Sequence, residues 1–136
     1  MERVLVTGAA GFVGGHLRAE LRAAFVPFEG DVLEAEALRL AVGSADAVVH
    51  LAAESSVAGS WDDPLRAWRV NVGGTVNVLE AVRAEQPDAR VLVASTCEVY
   101  GRAGRIPTPE DEPVRPLSPY AATKAAAELA LSLIHI

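Results

Sequence analysis

One stretch near the N-terminus, Thr7-Gly8-Ala9-Ala10-Gly11-Phe12-Val13-Gly14, narrows the folds open to this chain more than any other feature. It follows Arg3-Val4-Leu5-Val6-Thr7, which reads as a buried strand. It opens a helix pattern from Phe12 to about Ala24, with apolar residues at Phe12, Val13, Leu17, Leu21 and Phe25. Glycines at such a corner let the backbone turn tightly and approach a pyrophosphate, whose charge meets the free N–H groups of the helix start. The spacing is Gly-x-x-Gly-x-x-Gly rather than Gly-x-Gly-x-x-Gly. A strand before it and an amphipathic helix after it favour a dinucleotide-binding turn over a merely structural βα corner.

The remaining sequence repeats the alternation of short apolar runs with Ala/Leu-rich helical patterns, which reads as βαβ units around a parallel sheet. Phe25 to Phe28 is a short second strand weakened by Pro27. Residues 33–42 read as a helix, Ala47 to Leu51 as a strand, Trp68 to about Ala84 as a long helix, and Arg90 to Ser95 as another buried strand. Between that strand and a final helix around Tyr120 lies Gly101 to Pro119, a polar, proline-rich loop long enough to be suspected of function. Its Glu110-Asp111-Glu112 triplet reads as solvated surface. No repeat or low-complexity segment appears.

At 136 residues and 51% hydrophobic, the chain holds one domain's worth of core, which argues against disorder. Net charge is −6 and there is no Lys/Arg run, which argues against a nucleic-acid partner. Cys97 is the only cysteine, so neither an internal disulfide nor a Cys-rich metal site is expected, and the three histidines lack ligand spacing. No metal is expected. The apolar stretches fall short of the ~20 residues of a membrane helix, and Met1-Glu2-Arg3 runs straight into strand pattern without a signal-type apolar segment. The expectation is a soluble, cytoplasmic protein with no membrane partner.

Tyr120 and Lys124 stand four apart in Ser118-Pro119-Tyr120-Ala121-Ala122-Thr123-Lys124, so a helix puts them on one face, where an ammonium favours an ionised phenol. A free phenol titrates near pH ~10, and lowering that by ~3 units takes ~4 kcal/mol. At ~4 Å a charge pair is worth only ~1 kcal/mol in bulk water. Such a pair is chemistry only inside a closed, cofactor-filled pocket. Alone it is a commonplace solvated helix face.

Five segments in order supply the context: Thr7 to Gly14, His50-Leu51-Ala52-Ala53, Asn71-Val72-Gly73-Gly74-Thr75, Ser95-Thr96-Cys97-Glu98-Val99-Tyr100-Gly101, and Ser118 to Lys124. Together they resemble the extended short-chain dehydrogenase/reductase family of nucleotide-sugar epimerases, dehydratases and reductases. Ser55 to Trp61, Thr96 with Glu98, and Arg115-Pro116-Leu117-Ser118-Pro119-Tyr120 look most like the GDP-mannose 4,6-dehydratase branch, and equally like reductases acting on GDP-4-keto-6-deoxymannose. Glu98 also resembles the glutamate of dTDP-glucose 4,6-dehydratases, although there an Asp usually precedes it and this chain has Cys97.

The resemblance implies an α/β, Rossmann-type three-layer fold with about four parallel strands, and NAD or NADP as cofactor. Gly8, Gly11, Phe12, Val13, Gly14, Asp31, Val32, Leu51, Ala52, Ala53, Tyr120 and Lys124 would contact that cofactor. Tyr120, held as phenolate by Lys124 and the nicotinamide, would take the proton of a sugar 4-hydroxyl while hydride leaves C4, and Thr96 would orient the same oxygen. In a dehydratase Glu98 would then remove the C5 proton as water leaves C6; a reductase needs only the first set, and a 4-epimerase is a further alternative. Ser55 and Ser56 would edge the sugar pocket together with Thr96 and Glu98, and Asn71 would brace the strands behind the site. The implied substrate is a nucleotide sugar, a GDP-hexose above others, and the full-length protein would be a homo-oligomer. A cofactor-sensing regulator without turnover is the alternative of another class. Cys97 reads as a small packing residue, His50 as backbone-positioning, and Trp61 and Trp68 as covering the helix that enters the sheet.

Two departures accompany the resemblance. Between Gly14 and Gly30-Asp31-Val32 the family has two strands and a helix, whereas here there is room for one strand. Spacing alone would make Glu29 or Asp31 the acid that holds the adenosine ribose. Resemblance instead matches Gly30-Asp31-Val32 to a later strand end that contacts adenine, so the ribose-reading segment is expected to be missing and the choice of NAD or NADP unreadable. The family also continues well beyond the Tyr–Lys helix into a substrate domain. Residues 1–136 are therefore expected to be an incomplete dinucleotide-binding domain, an inactive fragment with weak or no cofactor binding. Leu131-Ser132-Leu133-Ile134-His135-Ile136 does not continue the family pattern, and its apolar side chains are expected to lack a covering strand.

Overall fold

A computed structural model describes residues 2–134. Four strands, β1 (Val4–Thr7), β2 (Phe25–Pro27), β3 (Ala47–His50) and β4 (Arg90–Val93), form one parallel sheet in the order β2-β1-β3-β4. The central strand β1 is buried along its whole length, as expected of a parallel strand covered on both faces. Its side chains alternate between two cores. Leu5 joins Val48 under α2 (Ala35–Val42) and α5 (Gly74–Glu85), where Leu38, Val42, Val78 and Val82 are fully buried. Val4 and Val6 join Phe25 on the opposite face, against Leu17 and Leu21 of α1 (Phe12–Leu21). The result is the expected three-layer Rossmann-type arrangement.

β2 is an edge strand, which is why Pro27 is tolerated in it: the missing N–H costs no ladder bond inside the sheet. α1 gives way to a 3₁₀ turn over Arg22–Ala24, so the expected helix is shorter by one turn. The long helix expected from Trp68 begins earlier and is composite. α3 (Val57–Asp62) and α4 (Pro64–Ala67) precede it, a π-helical turn spans Trp68–Gly73, and regular α5 follows. Ser56 caps α3 through Gly59 N–H at 2.9 Å, and Asp63 caps α4 through Arg66 N–H at 3.0 Å with Pro64 in the first turn.

The strand expected to reach Ser95 ends at Val93, and a 3₁₀ turn, Cys97–Tyr100, follows. Gly101 to Pro119 is irregular, as expected of that loop, but its acidic triplet is not wholly solvated. Asp111 and Glu112 clamp Arg105 at 2.8 and 3.5 Å, and Glu112 also accepts from Gly104 N–H. The last helix, α6 (Pro119–Ile134), packs on α5 and the π turn. Leu131 to Ile134 continue that helix, with Leu133 exposed; His135 and Ile136 lie outside the described residues.

Candidate active site

Strand ends β1 and β3, the start of α1, the end of β2 and the first turn of α6 enclose a cleft of about 810 Å³. The glycine turn shapes its floor. Gly8 has φ +68°, and a Cβ there would stand 2.7 Å from Ala52 N, against backbone that cannot yield. At Gly14 a Cβ would meet Ala9 O at 2.5 Å, so the third glycine lets α1 seat on the turn. Both glycines let the turn pack tightly, and the start of α1, which has no side-chain cap, offers backbone N–H groups as a cradle that fits a dinucleotide pyrophosphate.

Of the residues expected at the cofactor, Gly8, Gly11, Phe12, Val13, Gly14, Asp31, Val32, Leu51, Ala52, Ala53, Tyr120 and Lys124 all line this one cleft, and Ser55 lines it too. Thr96 and Glu98 stand beyond its edge, past Ala94 and Ser95, which do line it. Thr96 Oγ1 accepts the Glu98 N–H at 3.3 Å, capping the 3₁₀ turn, and Glu98 is exposed. Ser56 is committed to capping α3 and lines a smaller neighbouring recess. Cys97 is exposed rather than packed, and Trp61 on α3 and Trp68 at the start of the π turn are 63% and 43% exposed rather than closely covering the helix that enters the sheet.

Beneath the cleft runs a buried polar junction that sequence reasoning largely misses. Thr75 Oγ1 has one proton, given to Asn71 O at 2.6 Å, so it must accept from His50 Nε2 at 3.2 Å. That fixes the tautomer. His50 Nδ1 then lacks a proton and accepts from Thr7 Oγ1 at 2.6 Å, and Thr7 Oγ1 in turn accepts the Ala52 N–H at 3.2 Å. Burial and the nearby Lys124 hold the imidazole neutral, lowering its pKa from 6.5 to about 4.

Asn71 extends the junction toward α6. Its Oδ1 accepts Glu54 N–H at 2.8 Å while its Nδ2 donates to Glu54 O at 3.1 Å and to Thr123 Oγ1 at 2.9 Å. The side chain, carried on the π turn, thus clips the extended segment after β3 as a second backbone would. Thr123 Oγ1 donates to Tyr120 O at 2.7 Å, and Tyr120 N–H donates to Ser60 Oγ at 3.0 Å. Thr7, His50, Ser60, Asn71, Thr75 and Thr123 are all at most 3% exposed, so the helix bearing Tyr120 and Lys124 is fixed by bonds shielded from water. Lys124 is itself 5% exposed, and burial lowers its pKa against an upward pull from Glu128, whose carboxylate accepts from Ser95 Oγ.

Residues 18–135 match the family described as GDP-mannose 4,6 dehydratase. The chain belongs to this family. It is thereby one of the extended short-chain dehydrogenase/reductases, the superfamily of NAD(P)-dependent nucleotide-sugar dehydratases, epimerases and reductases. Among curated proteins, the GDP-6-deoxy-D-mannose reductase of Pseudomonas aeruginosa is 39% identical, aligned over 93% of this chain and 45% of its own length. A dTDP-glucose 4,6-dehydratase of Mycobacterium tuberculosis is 36% identical over 93% of this chain and 47% of its own. The chain therefore spans about half the length of the curated relatives it matches.

Solved structures agree on the fold. RMD from Pseudomonas aeruginosa complexed with NADPH superposes with a TM-score of 0.86 at 37% identity, over 95% of this chain and 47% of that one. UDP-glucose 4-epimerase from Brucella ovis in complex with NAD gives 0.89 at 34% identity, over 97% and 47%. Alignment lengths separate relatives within the family. The same 93% of this chain, about 126 residues, needs 137 positions against the reductase but 157 against the dTDP-glucose dehydratase, so this chain lacks about ten positions of the former and about thirty of the latter. Among the described residues no three His, Cys, Asp or Glu side chains group as a metal site, and no helix is long and apolar enough to cross a membrane.

Proposed function

We propose that the intact protein oxidises C4 of a nucleotide sugar with a bound nicotinamide dinucleotide and that the hydride returns to C6 as water is lost from C5 and C6, so that its reaction is GDP-mannose 4,6-dehydration. The observation that carries this reading is the single cleft shared by the Gly8–Gly14 turn, Tyr120 and Lys124. When bound there, the nicotinamide would supply the hydride acceptor and donor. Backbone N–H groups of the glycine turn would hold its pyrophosphate, and Leu51, Ala52 and Ala53 would wall it.

Tyr120, one helical turn from the buried Lys124 ammonium, would take the proton of the sugar 4-hydroxyl. Lys124 would favour the phenolate once cofactor and substrate domain close the cleft to bulk water. Thr96 keeps its hydroxyl proton while capping its own turn, so it can donate to the same sugar oxygen. Glu98, exposed at the rim, would take the C5 proton once the C4 ketone has acidified it. Ser55 and Ser56 would edge the sugar, and segments beyond these 136 residues would form the substrate domain that closes over it. We further assign the intact protein to the cytoplasm as a homo-oligomer.

A second reading, reduction of the 4-keto-6-deoxy product, is favoured by the shorter alignment with the GDP-6-deoxy-D-mannose reductase. Intact protein mixed with GDP-mannose and a trace of cofactor separates them. Dehydration yields a 4-keto-6-deoxy sugar nucleotide with no net change in reduced cofactor. No keto product from GDP-mannose, with stoichiometric consumption of NAD(P)H on the keto sugar, selects the reductase. Inertness to both, with cofactor still bound, would leave a cofactor-binding regulator.

A further inference from the structure

We propose that this chain reads the adenosine ribose with Glu29, and that Glu29 makes it select NAD over NADP. The inference rests on the dinucleotide reading of the cleft and adds to it the residue that chooses between the two cofactors.

In open α/β sheets the strand beside β1 carries, at its C-terminal end, the acid that accepts the ribose hydroxyls. The shortened chain has a single strand to offer there. β2 pairs directly with β1, with Val4 opposite Phe25, Leu5 opposite Val26 and Val6 opposite Pro27, and the Phe28 N–H to Val6 O bond of 2.9 Å continues the pairing. Carried onward, that register sets Glu29 level with Gly8, the first glycine of the pyrophosphate turn. The segment that resembles an adenine-contacting strand end has therefore moved into the ribose-reading place. One strand end does the work of two.

The neighbouring side chains leave Glu29 as the reader. Asp31 has Oδ1 committed to its own turn, accepting Leu33 N–H at 2.9 Å, and Val32 is buried in the core. Glu29 lines the cleft, is exposed, and has no hydrogen-bond or ion-pair partner among the described residues. Both of its oxygens can accept from a ribose diol. A 2′-phosphate there would instead meet a carboxylate of like charge. The basic side chains that line the cleft do not relieve that repulsion. Arg66 is paired with Glu54 at 2.7 Å, and Lys124 stands on α6 beside Tyr120.

The test is equilibrium binding of NADH and NADPH to the intact protein, followed by nicotinamide fluorescence. The wild type should bind NADH tighter by about tenfold to hundredfold, the value of paired hydrogen bonds to a charged acceptor. Glu29→Ala should abolish that preference by weakening NADH, and Glu29→Arg should invert it. Asp31→Asn, which keeps the oxygen that caps its turn, should move the ratio far less than Glu29→Ala. Glu29 is exposed, so its variants keep the fold, and NADPH affinity serves as the internal measure of an intact cleft. Equal affinities in the wild type, or a ratio that Glu29→Ala does not move, would overturn this proposal alone. Binding of neither dinucleotide would overturn it together with the dinucleotide reading.

Discussion

The two sides of the cleft are built on opposite principles. Under Tyr120 and Lys124, buried hydroxyls, an imidazole and an amide bond one another in a single consistent direction of proton donation, and no alternative arrangement satisfies them all. At the end of β4, Thr96 and the exposed Glu98 sit on a 3₁₀ turn whose one side-chain bond is the long Thr96 cap, the rest being backbone bonds. The difference teaches where this fold stores precision. Tyr120, the proposed base, is fixed before any ligand arrives, whereas the residues that would meet the varied part of a substrate are left to be ordered by it.

The sharpest way to break the comparison is Tyr120→Phe. The junction grips Tyr120 through its backbone N–H and C=O, so removing the phenol oxygen leaves every junction bond in place. kcat of the intact protein should fall by about 10²–10⁴-fold, the usual worth of a positioned proton acceptor. Thermal unfolding should stay within about 1–2 °C of the wild type. Retained turnover would remove Tyr120 from the chemistry.

Next in size is the junction itself, probed by acid. His50 titrates at about 4 in the folded protein against 6.5 when unfolded. Its depressed value means that the unfolded chain takes the proton first as pH falls. Stability is therefore full above about pH 6.5, declines between there and about pH 4, and loses no more from this group below that. The total is about 3 kcal/mol. Denaturant titrations across that window should show the slope in the wild type and not in His50→Gln, whose amide can still accept from Thr7 and donate to Thr75. Parallel slopes in both proteins would place the acid sensitivity elsewhere.

Asn71→Ala removes three of these bonds and strands the part-buried Glu54 N–H, so about 2–4 kcal/mol of stability should go, with the register of the segment after β3. A loss under about 1 kcal/mol, read by chemical denaturation, would show that water or rearrangement replaces the clip.

What the sequence discloses of all this follows the same division. Periodicity and the glycine turn expose the strands and the cleft's floor, because apolar alternation and the steric needs of Gly8 and Gly14 are local. Ser56 and Asp63-Pro64 carry legible helix-start signals for α3 and α4, which the expectation of one long helix from Trp68 leaves unused. The junction is not legible. Thr7, Thr75 and Thr123 are distant in sequence, and each reads alone as a polar residue at the end or inside of an apolar pattern; only the fold sets them around His50 and Asn71. The place of β2 beside β1 is hidden for another reason. Resemblance assigns a strand by its sequence, while the sheet assigns it by the vacancy it fills.

Thr96→Val carries the smallest effect on folding and tests the open side most directly. The substitution keeps the β-branched shape and removes the hydroxyl, whose bond to Glu98 N–H at 3.3 Å is long and solvent-accessible. Loss of such a cap costs about 0.5–1 kcal/mol, and the 3₁₀ turn is further held by Gly101 N–H to Glu98 O at 3.1 Å. If Thr96 orients the sugar oxygen, kcat should drop by about tenfold or more while stability barely moves, because the hydroxyl would act only once substrate is present. A stability loss above about 2 kcal/mol with kcat unchanged would make Thr96 a structural cap and nothing else. The β4 end would then be as preorganised as the junction, and the proton handling at the sugar would fall to Tyr120 and Lys124 alone.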